Sequence, residues 1–169
     1  MPGSAPPERS ISTADAAETR RLAASAAAAA ERGDLVCLWG ELGAGKTQFA
    51  KGFGAGLGVA GTISSPTFIL MSEYEGRLPL FHVDLYRLAD GADALAGGII
   101  DERQAAGVTL VEWPDRMGDL LPARRLDVVI EGTGTEPRRI TLRSSDPRMA
   151  RYMTAAAAPP PAVAREGAA

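Results

Sequence analysis

Apolar runs bounded by turn-forming residues divide the chain into predicted strands. Leu35–Trp39 and Val108–Glu112 are continuous apolar runs of the kind found in strands that are buried on both faces of a sheet. Further strands are predicted over residues 67–73, 79–86, 126–131 and 138–142. Because Glu75-Gly76-Arg77 forms a turn signal between the runs at 67–73 and 79–86, these two strands are expected to form a hairpin.

Alanine-rich segments between the apolar runs predict helices. Residues 13–32 are rich in alanine and arginine, Ser12 with Asp15 resembles a helix-start box, and Gly33 is a stop signal. Strands that are separated by helices predict an α/β fold, with a mostly parallel sheet, antiparallel additions and helices on both faces.

A second helix is predicted over residues 46–57, and residues 88–106 have a mixed pattern that is partly helical. Three glycines interrupt the second helix, and each weakens it by about 1 kcal/mol relative to alanine. They are Gly52, Gly54 and Gly56.

The two ends of the chain lack the periodic pattern of its middle. Residues 1–11 are polar and contain proline, so we predict a disordered lead. Residues 144–169 include an Ala/Pro-rich run without period and are predicted to form a flexible tail. The domain itself is expected to span residues 12–143.

Composition narrows the classes of protein that are possible. The formal net charge of −3 disfavours a dedicated nucleic-acid binder, which normally has a strongly basic surface. Cys37 is the single cysteine and lies in an apolar run, so it is predicted to be a core residue without a disulfide. No apolar run is long enough to span a membrane, and residues 1–10 lack the apolar centre of a signal peptide. We therefore expect a cytoplasmic protein.

The loop after the Leu35–Trp39 strand matches the phosphate-binding pattern G-x-x-x-x-G-K-[ST] in full. Its residues are Gly40, Glu41, Leu42, Gly43, Ala44, Gly45, Lys46 and Thr47. In such a loop backbone N–H groups surround phosphate oxygens, the lysine reaches the β- and γ-phosphates, and the hydroxyl binds Mg²⁺. A chance match is improbable because the chain has only two lysines, Lys46 and Lys51. The loop predicts binding of a nucleoside triphosphate with Mg²⁺.

Two carboxylates are candidates to complete this site. Glu112 ends a buried strand, where a P-loop enzyme places an acid that supports Mg²⁺. The alternative interpretation is a carboxylate that merely ends the strand and has no role at a metal. Asp84 is expected to share one strand face with His82 and Tyr86. That face either carries polar groups with a chemical function or is a strand surface exposed to solvent. A lone histidine such as His82 is more often structural than a proton carrier. The hydroxyl-bearing loop 64–67 fits either a γ-phosphate sensor or a plain turn.

Taken together, the motifs resemble the bacterial TsaE family of ATPases. The resemblance covers about residues 12–143 and rests on the phosphate loop together with three further segments. These are Ser65-Pro66-Thr67-Phe68, His82-Val83-Asp84-Leu85-Tyr86-Arg87-Leu88 and Val111-Glu112-Trp113-Pro114. Ala17-Glu18-Thr19, Gly98-Ile99 with Asp101, and Leu121-Pro122 also agree in order and spacing, whereas Arg103-Gln104 stand where the family usually has an aromatic pair.

The resemblance implies a P-loop fold with slow ATP hydrolysis, which supports threonylcarbamoyl transfer to adenosine 37 of tRNA. The partners that it implies are TsaB and TsaD, with tRNA reached indirectly through the complex. It further implies that Thr47 and Glu112 hold Mg²⁺ and that Asp84 is needed for hydrolysis, either beside the metal or on it. Thr67, with Ser65, belongs to a nucleotide-sensing loop in this reading, and Trp113 lies beside the nucleotide.

Three other functions compete with this interpretation. A small-molecule kinase needs an arginine-bearing lid, and the segment 88–106 contains only Arg103. A conventional GTPase needs an Asn-Lys-x-Asp element, which a chain without asparagine does not have. A binding module gated by nucleotide, in which hydrolysis is incidental, shares the predicted site and is not separated from an ATPase by sequence.

Overall fold

Four parallel strands form the centre of a seven-stranded sheet, with antiparallel strands added at both edges. The computed structural model describes residues 5–64, 71–88 and 102–159. The strands are β1 (Glu8–Thr13), β2 (Leu35–Trp39), β3 (Met71–Tyr74), β4 (Leu80–Asp84), β5 (Val108–Glu112), β6 (Leu126–Glu131) and β7 (Arg138–Arg143). Their order in the sheet is β1-β7-β6-β2-β5-β4-β3, and the parallel strands are β6, β2, β5 and β4.

Helices cover one face of this sheet. They are α1 (Ala16–Ala27), α2 (Lys46–Gly56) and α3 (Ala150–Ala156), and α1 contacts both of the others. The opposite face carries a smaller apolar cluster that includes Val83, Val111 and Met117, the last from the 3₁₀ segment Pro114–Leu120. The α/β fold with a mostly parallel sheet and antiparallel additions is confirmed. In the described part of the chain, however, the second face is covered by 3₁₀ turns and not by an α-helix.

Two of the three glycines of α2 let this helix pack closely against α1. A Cβ atom at Gly52 would lie 2.2 Å from the backbone oxygen of Arg20, and one at Gly56 would lie 2.5 Å from that of Ala24. Any side chain at these positions would push α2 away from α1. Glycine lowers the helix propensity of α2, but it is needed where the two backbones come close. The predicted helix 46–57 is observed almost in full as α2.

The beginning of the chain differs from the predicted disordered lead. Residues 8–13 form β1, which pairs antiparallel with β7 along its whole length. α1 then starts later than predicted, since Asp15 is its N-cap and accepts a 2.9 Å hydrogen bond from the backbone N–H of Glu18. The helix also ends earlier, at Ala27, and Gly33 lies in the turn that leads into β2.

The predicted flexible tail is wrong for residues 144–156. A 3₁₀ turn at Pro147–Met149 leads into α3, which packs against α1. Tyr152 of α3 is fully buried, and its hydroxyl donates a 2.6 Å hydrogen bond to Asp34 just before β2. Arg151 forms an ion pair with the same carboxylate. A short helix without a long apolar period was enough to bury one large side chain, Tyr152, against the buried carboxylate of Asp34.

The other predicted strands agree with the structure in type. Most of the segment 88–106, which was predicted to be partly helical, lies outside the described residues, and its end forms a 3₁₀ helix at Glu102–Ala106. β2 and β5 have the expected bounds, and β3 and β4 form the expected hairpin. β4 is shorter than predicted, and residues 67–70 of the other predicted strand lie outside the described residues. Cys37 is buried in β2, as expected of a core residue. Among the described residues, no helix combines the length and the apolar character that crossing a membrane requires.

Candidate functional site

The loop from Gly40 to Thr47 connects β2 to α2 at the carboxyl edge of the parallel strands. Gly45 precedes α2 with φ at 111°, a left-handed conformation that glycine adopts without the steric cost of a side chain. This conformation turns the chain into the first turn of α2, where unpaired backbone N–H groups and the positive end of the helix dipole favour an anion. The strand–loop–helix context that was predicted for a phosphate loop is present.

Lys46 points back into the loop. Its Nζ donates hydrogen bonds to the backbone oxygens of Gly40 (2.7 Å) and Glu41 (2.8 Å) and lies 4.3 Å from the centre of the Trp113 ring. Burial lowers the pKa of Lys46 from its ordinary value, while the negative charges of Glu112 and Asp84 oppose this shift. The ammonium group is thus held at the floor of the loop, facing two carboxylates.

Arg138 fixes the outer side of the loop, which the sequence patterns did not reveal. From the start of β7 its guanidinium donates hydrogen bonds to the backbone oxygens of Ala44 (2.7 Å), Gly43 (3.3 Å) and Gly134 (3.0 Å). It therefore ties the phosphate loop to the turn between β6 and β7. With the Gly43 and Ala44 carbonyls held in this way, the loop conformation is set before any ligand arrives.

Asp84 and Glu112 lie side by side at the ends of adjacent parallel strands. They are paired in the β4–β5 register, and the Thr47 hydroxyl donates a 3.5 Å hydrogen bond to Oε1 of Glu112. Glu112 is buried, whereas Asp84 is half-buried and accepts a 2.9 Å hydrogen bond from the backbone N–H of Tyr86. Burial raises the pKa of the Asp84 carboxyl, and the negative charge of Glu112 raises it further. The structure therefore brings the two predicted carboxylates together beside Thr47.

His82 does not lie on a solvated strand face. Its side chain is fully buried, on the helix-covered side of β4, and its Nε2 lies 3.3 Å from Oε2 of Glu112. Tyr86, which was expected on the same strand face, follows the end of β4 and is exposed. The alternation of the strand was right for His82 and Asp84, but it does not extend to Tyr86.

Trp113 closes one side of the site. It follows β5 directly and has φ at 60°, the only positive value among the non-glycine residues that the structure describes. This conformation reverses the chain and lays the indole ring over Lys46, with the Tyr86 ring packed against it at 4.9 Å between centroids. A Trp in the left-handed region is strained, and here that strain accompanies a position beside the predicted phosphate site.

These residues enclose a cleft with a volume of about 350 Å³. It is lined by Leu42, Gly43, Gly45, Lys46, Thr47, Gln48, Asp84, Tyr86, Glu112 and Trp113. Thr67 and Ser65, which were predicted to sense the nucleotide, lie outside the described residues, so their position relative to the cleft stays a prediction.

A second cleft of about 290 Å³ adjoins the first across the phosphate loop. It lies between the start of α1, the first turns of α2 and the turn between β6 and β7, and its lining includes Asp15, Thr19 and Arg138. Gly45 and Gln48 line both clefts. One extended ligand that passes over Gly45 can therefore occupy both.

The donor atoms in the first cleft suit Mg²⁺. Thr47, Glu112 and Asp84 offer one hydroxyl and two carboxylates, which are the hard oxygen ligands that this ion prefers. No three His, Cys, Asp or Glu side chains in the described ranges form a complete metal cage. Mg²⁺ usually binds through one or two carboxylates plus phosphate oxygens and water, so the residues fit a metal that arrives with a nucleotide.

Comparison with known proteins identifies a family that matches most of the chain. The family model described as threonylcarbamoyl adenosine biosynthesis protein TsaE matches residues 13–140. The chain is 44% identical over 130 residues to the tRNA threonylcarbamoyladenosine biosynthesis protein TsaE of Bacillus subtilis, a match that covers 76% of this chain and 81% of the relative. It is 40% identical over 112 residues to the protein of the same name from Treponema pallidum, covering 66% of this chain and 83% of the relative.

A solved structure extends the similarity to the fold. The crystal structure of Bacillus subtilis YdiB superposes with a TM-score of 0.71 at 37% sequence identity. The superposition covers 90% of this chain and 95% of that one. The similarity thus reaches beyond the phosphate loop to the whole sheet and its helices.

Proposed function

Because the chain belongs to the TsaE family, we propose that it is a Mg²⁺-dependent ATPase that supports threonylcarbamoyl modification of adenosine 37 in tRNA, together with TsaB and TsaD. Its curated relatives are named for the biosynthesis of tRNA threonylcarbamoyladenosine. The observation that carries the enzymatic part of the proposal is the convergence of Lys46, Thr47, Asp84 and Glu112 on one cleft. The proposal implies a cytoplasmic protein, since tRNA is modified there.

Phosphate binding follows from the loop and the start of α2. The N–H groups that the Gly45 turn exposes surround phosphate oxygens, and Lys46 neutralises their charge. When phosphate binds, Lys46 exchanges its hydrogen bonds to the loop oxygens for bonds to phosphate. Bound Mg²⁺ would supply charge neutralisation for the phosphates as the terminal bond breaks.

The two carboxylates take different roles because their surroundings differ. Glu112 is buried and already hydrogen-bonded by Thr47, so the pair is suited to holding a metal in one fixed place. Asp84 is more exposed, and its raised pKa makes it a better proton acceptor than an ordinary aspartate. Asp84 therefore orients the attacking water and accepts a proton from it, while Glu112 and Thr47 would hold the metal.

The second cleft takes the nucleoside part of ATP. A triphosphate seated in the loop has one end at the carboxylates, and its other end leaves across Gly45 and Gln48 towards Asp15 and Thr19. The lining of this second cleft is mainly apolar, as a purine base requires. Arg138 then supports the loop from the side on which the base lies.

The direct test is ATP hydrolysis with Mg²⁺, measured for the chain alone and with TsaB and TsaD from the same source. We expect slow turnover that increases when both partners are present and that the Lys46→Ala variant does not show. Absence of hydrolysis under both conditions would overturn the ATPase proposal. A rate of hydrolysis that does not change when TsaB and TsaD are added would overturn the partnership. Transfer of phosphate to a metabolite would instead identify a small-molecule kinase.

A further inference from the structure

We infer that His82 is a positioning residue that donates its Nε2–H to Glu112 and so orients that carboxylate for Mg²⁺. The inference rests on the proposed Mg²⁺-nucleotide site, to which it adds a residue. His82 lies behind Glu112, away from the cleft, and acts through the carboxylate without touching the ligand.

The buried position of His82 is unusual for a purely structural residue. Its side chain is fully buried, and neither ring nitrogen has a well-aligned hydrogen-bond partner among the residues that the structure describes. An unpaired buried polar group costs about 1–3 kcal/mol. Its neighbours on the same face of β4 and β5, Leu80 and Leu110, are apolar, and a leucine at position 82 would avoid the cost.

The contact with Glu112 explains why a histidine is useful there. Nε2 lies 3.3 Å from Oε2, which is within hydrogen-bonding distance but off the best angle. The other oxygen, Oε1, faces the Thr47 hydroxyl at 3.5 Å. The two oxygens of Glu112 are therefore divided, one towards the phosphate loop and one towards His82. A small rotation of the carboxylate, of the kind that metal binding causes, would align the His82 bond and hold Oε1 towards the loop.

A direct catalytic role for His82 is inconsistent with its position. The imidazole does not line the cleft and has no exposed surface, so it reaches neither substrate nor the attacking water. Side chains that orient a metal ligand from behind typically change metal affinity 10- to 100-fold when they are replaced. The effect of His82 should accordingly appear in Mg²⁺ binding, while nucleotide binding without metal is preserved.

The first experiment measures ADP affinity by calorimetry in EDTA and over a range of Mg²⁺ concentrations, on the full chain. His82→Leu keeps the volume without a donor, His82→Gln restores an N–H at a similar reach, and Phe81→Leu perturbs a buried neighbour on the opposite face of β4. We expect His82→Leu to need about 10- to 100-fold more Mg²⁺ for the same ADP affinity. His82→Gln should recover much of this loss, and Phe81→Leu should match the parent chain.

An unchanged Mg²⁺ requirement in folded His82→Leu, or equal losses in His82→Leu and His82→Gln, would overturn the inference. These results are distinct from failure of the proposed function. A chain that binds no nucleotide in EDTA or in Mg²⁺ would contradict the nucleotide site itself.

A second experiment needs no variant and no catalytic activity. His82 is the single histidine of the chain, so its imidazole ¹⁵N signals are assigned without ambiguity. We expect the proton on Nε2 and a shift of that resonance when Mg²⁺ is added to the ADP-bound protein. A bare Nε2, with the proton on Nδ1 alone, would overturn the proposed donation whether or not the variants fold.

Discussion

Asp84 and Glu112 face each other across adjacent parallel strands, at the register position that ends both β4 and β5. This pairing places two carboxylates beside the first turn of α2, within the same cleft as Lys46. Their environments differ, since Glu112 is buried against Thr47 and His82 whereas Asp84 stands at the cleft surface. Several measurable properties depend on this difference.

Removal of either carboxylate charge should reduce hydrolysis more than nucleotide binding. We expect Asp84→Asn and Glu112→Gln each to lower turnover by about a hundredfold or more, the usual loss when one electrostatic group leaves an active site. ATP affinity should fall far less, because the loop N–H groups and Lys46 remain. Steady-state phosphate release and equilibrium binding together check this. Turnover at the parent rate in both variants would contradict the roles assigned to the pair.

Asp84 should also affect the dependence of stability on pH. Burial raises the pKa of its carboxyl in the folded chain, so the protonated form is favoured by folding. The stability that this group contributes is therefore greatest below the pKa of the unfolded chain and is lost as pH rises through the folded value. In EDTA, Asp84→Asn should raise the Tm at pH 7, with a gain that shrinks towards pH 4. The exposed Asp119→Asn is the control, and a gain that grows on acidification would refute the sign.

The two lysines of the chain provide a matched pair. Lys46→Ala removes a charged donor from the loop, and we expect ATP binding to weaken roughly 10- to 100-fold, since a hydrogen bond to a charged group contributes about 1.5–3 kcal/mol. Lys51→Ala changes the same side chain one turn further along α2, outside the cleft, and should leave affinity unchanged. Fluorescence titration of a labelled nucleotide measures both. Equal losses of ATP affinity in the two variants would show that the net charge of the chain matters and not the position of Lys46.

Arg138 should contribute to nucleotide affinity by holding the phosphate loop in one conformation before the nucleotide binds. Arg138→Ala removes the hydrogen bonds to the Ala44 and Gly43 carbonyls, and a net value of about 1 kcal/mol per bond predicts a loss of affinity of up to roughly thirtyfold. Arg139→Ala, at the next and exposed position of β7, is the control with the same change in net charge. If both variants bind ATP as the parent chain does, the loop keeps its conformation without Arg138.

Tyr152 should stabilise the fold through its contact with Asp34. Tyr152→Phe removes the donor to a buried carboxylate and should cost about 1–3 kcal/mol of unfolding free energy, while Tyr152→Ala should cost about 3–5 kcal/mol because it also leaves a cavity. Tyr86→Phe, on an exposed ring, should change stability little. Urea denaturation checks the three variants. If the Tyr152→Ala variant were as stable as the parent chain, residues 144–156 would contribute nothing to the fold, as predicted for a flexible tail.

Local signals in the sequence predicted the centre of the molecule. β2, the glycine loop and α2 follow one another directly, so an apolar run, a motif and a helix pattern within a short segment were enough. Asp84 and Glu112 were found because strand ends meet at one edge of a parallel sheet. Lys46 and Trp113 line the same cleft, while their contacts with a nucleotide stay predictions.

The features that were missed depend on distant residues. β1 is polar along most of its length and is a strand only because β7 offers it an edge. The orientation of Arg138 towards the loop and the burial of Tyr152 against Asp34 each join segments about 90 or more residues apart. His82 was taken for an ordinary histidine because nothing in its neighbours along the chain indicates what lies across the sheet.

The pairing of β1 with β7 has a consequence for synthesis of the protein. The Ser10 and Thr141 hydroxyls, 2.8 Å apart in the folded chain, are separated by 131 residues. At about 5–20 residues per second a ribosome needs roughly ten seconds between making the first strand and making its partner. For that time β1 has an unpaired backbone, and once β6 has been made its edge also stays open until β7 follows. The emerging chain is therefore most exposed to aggregation just before its last strand is made, and assistance from a chaperone would matter most at that stage.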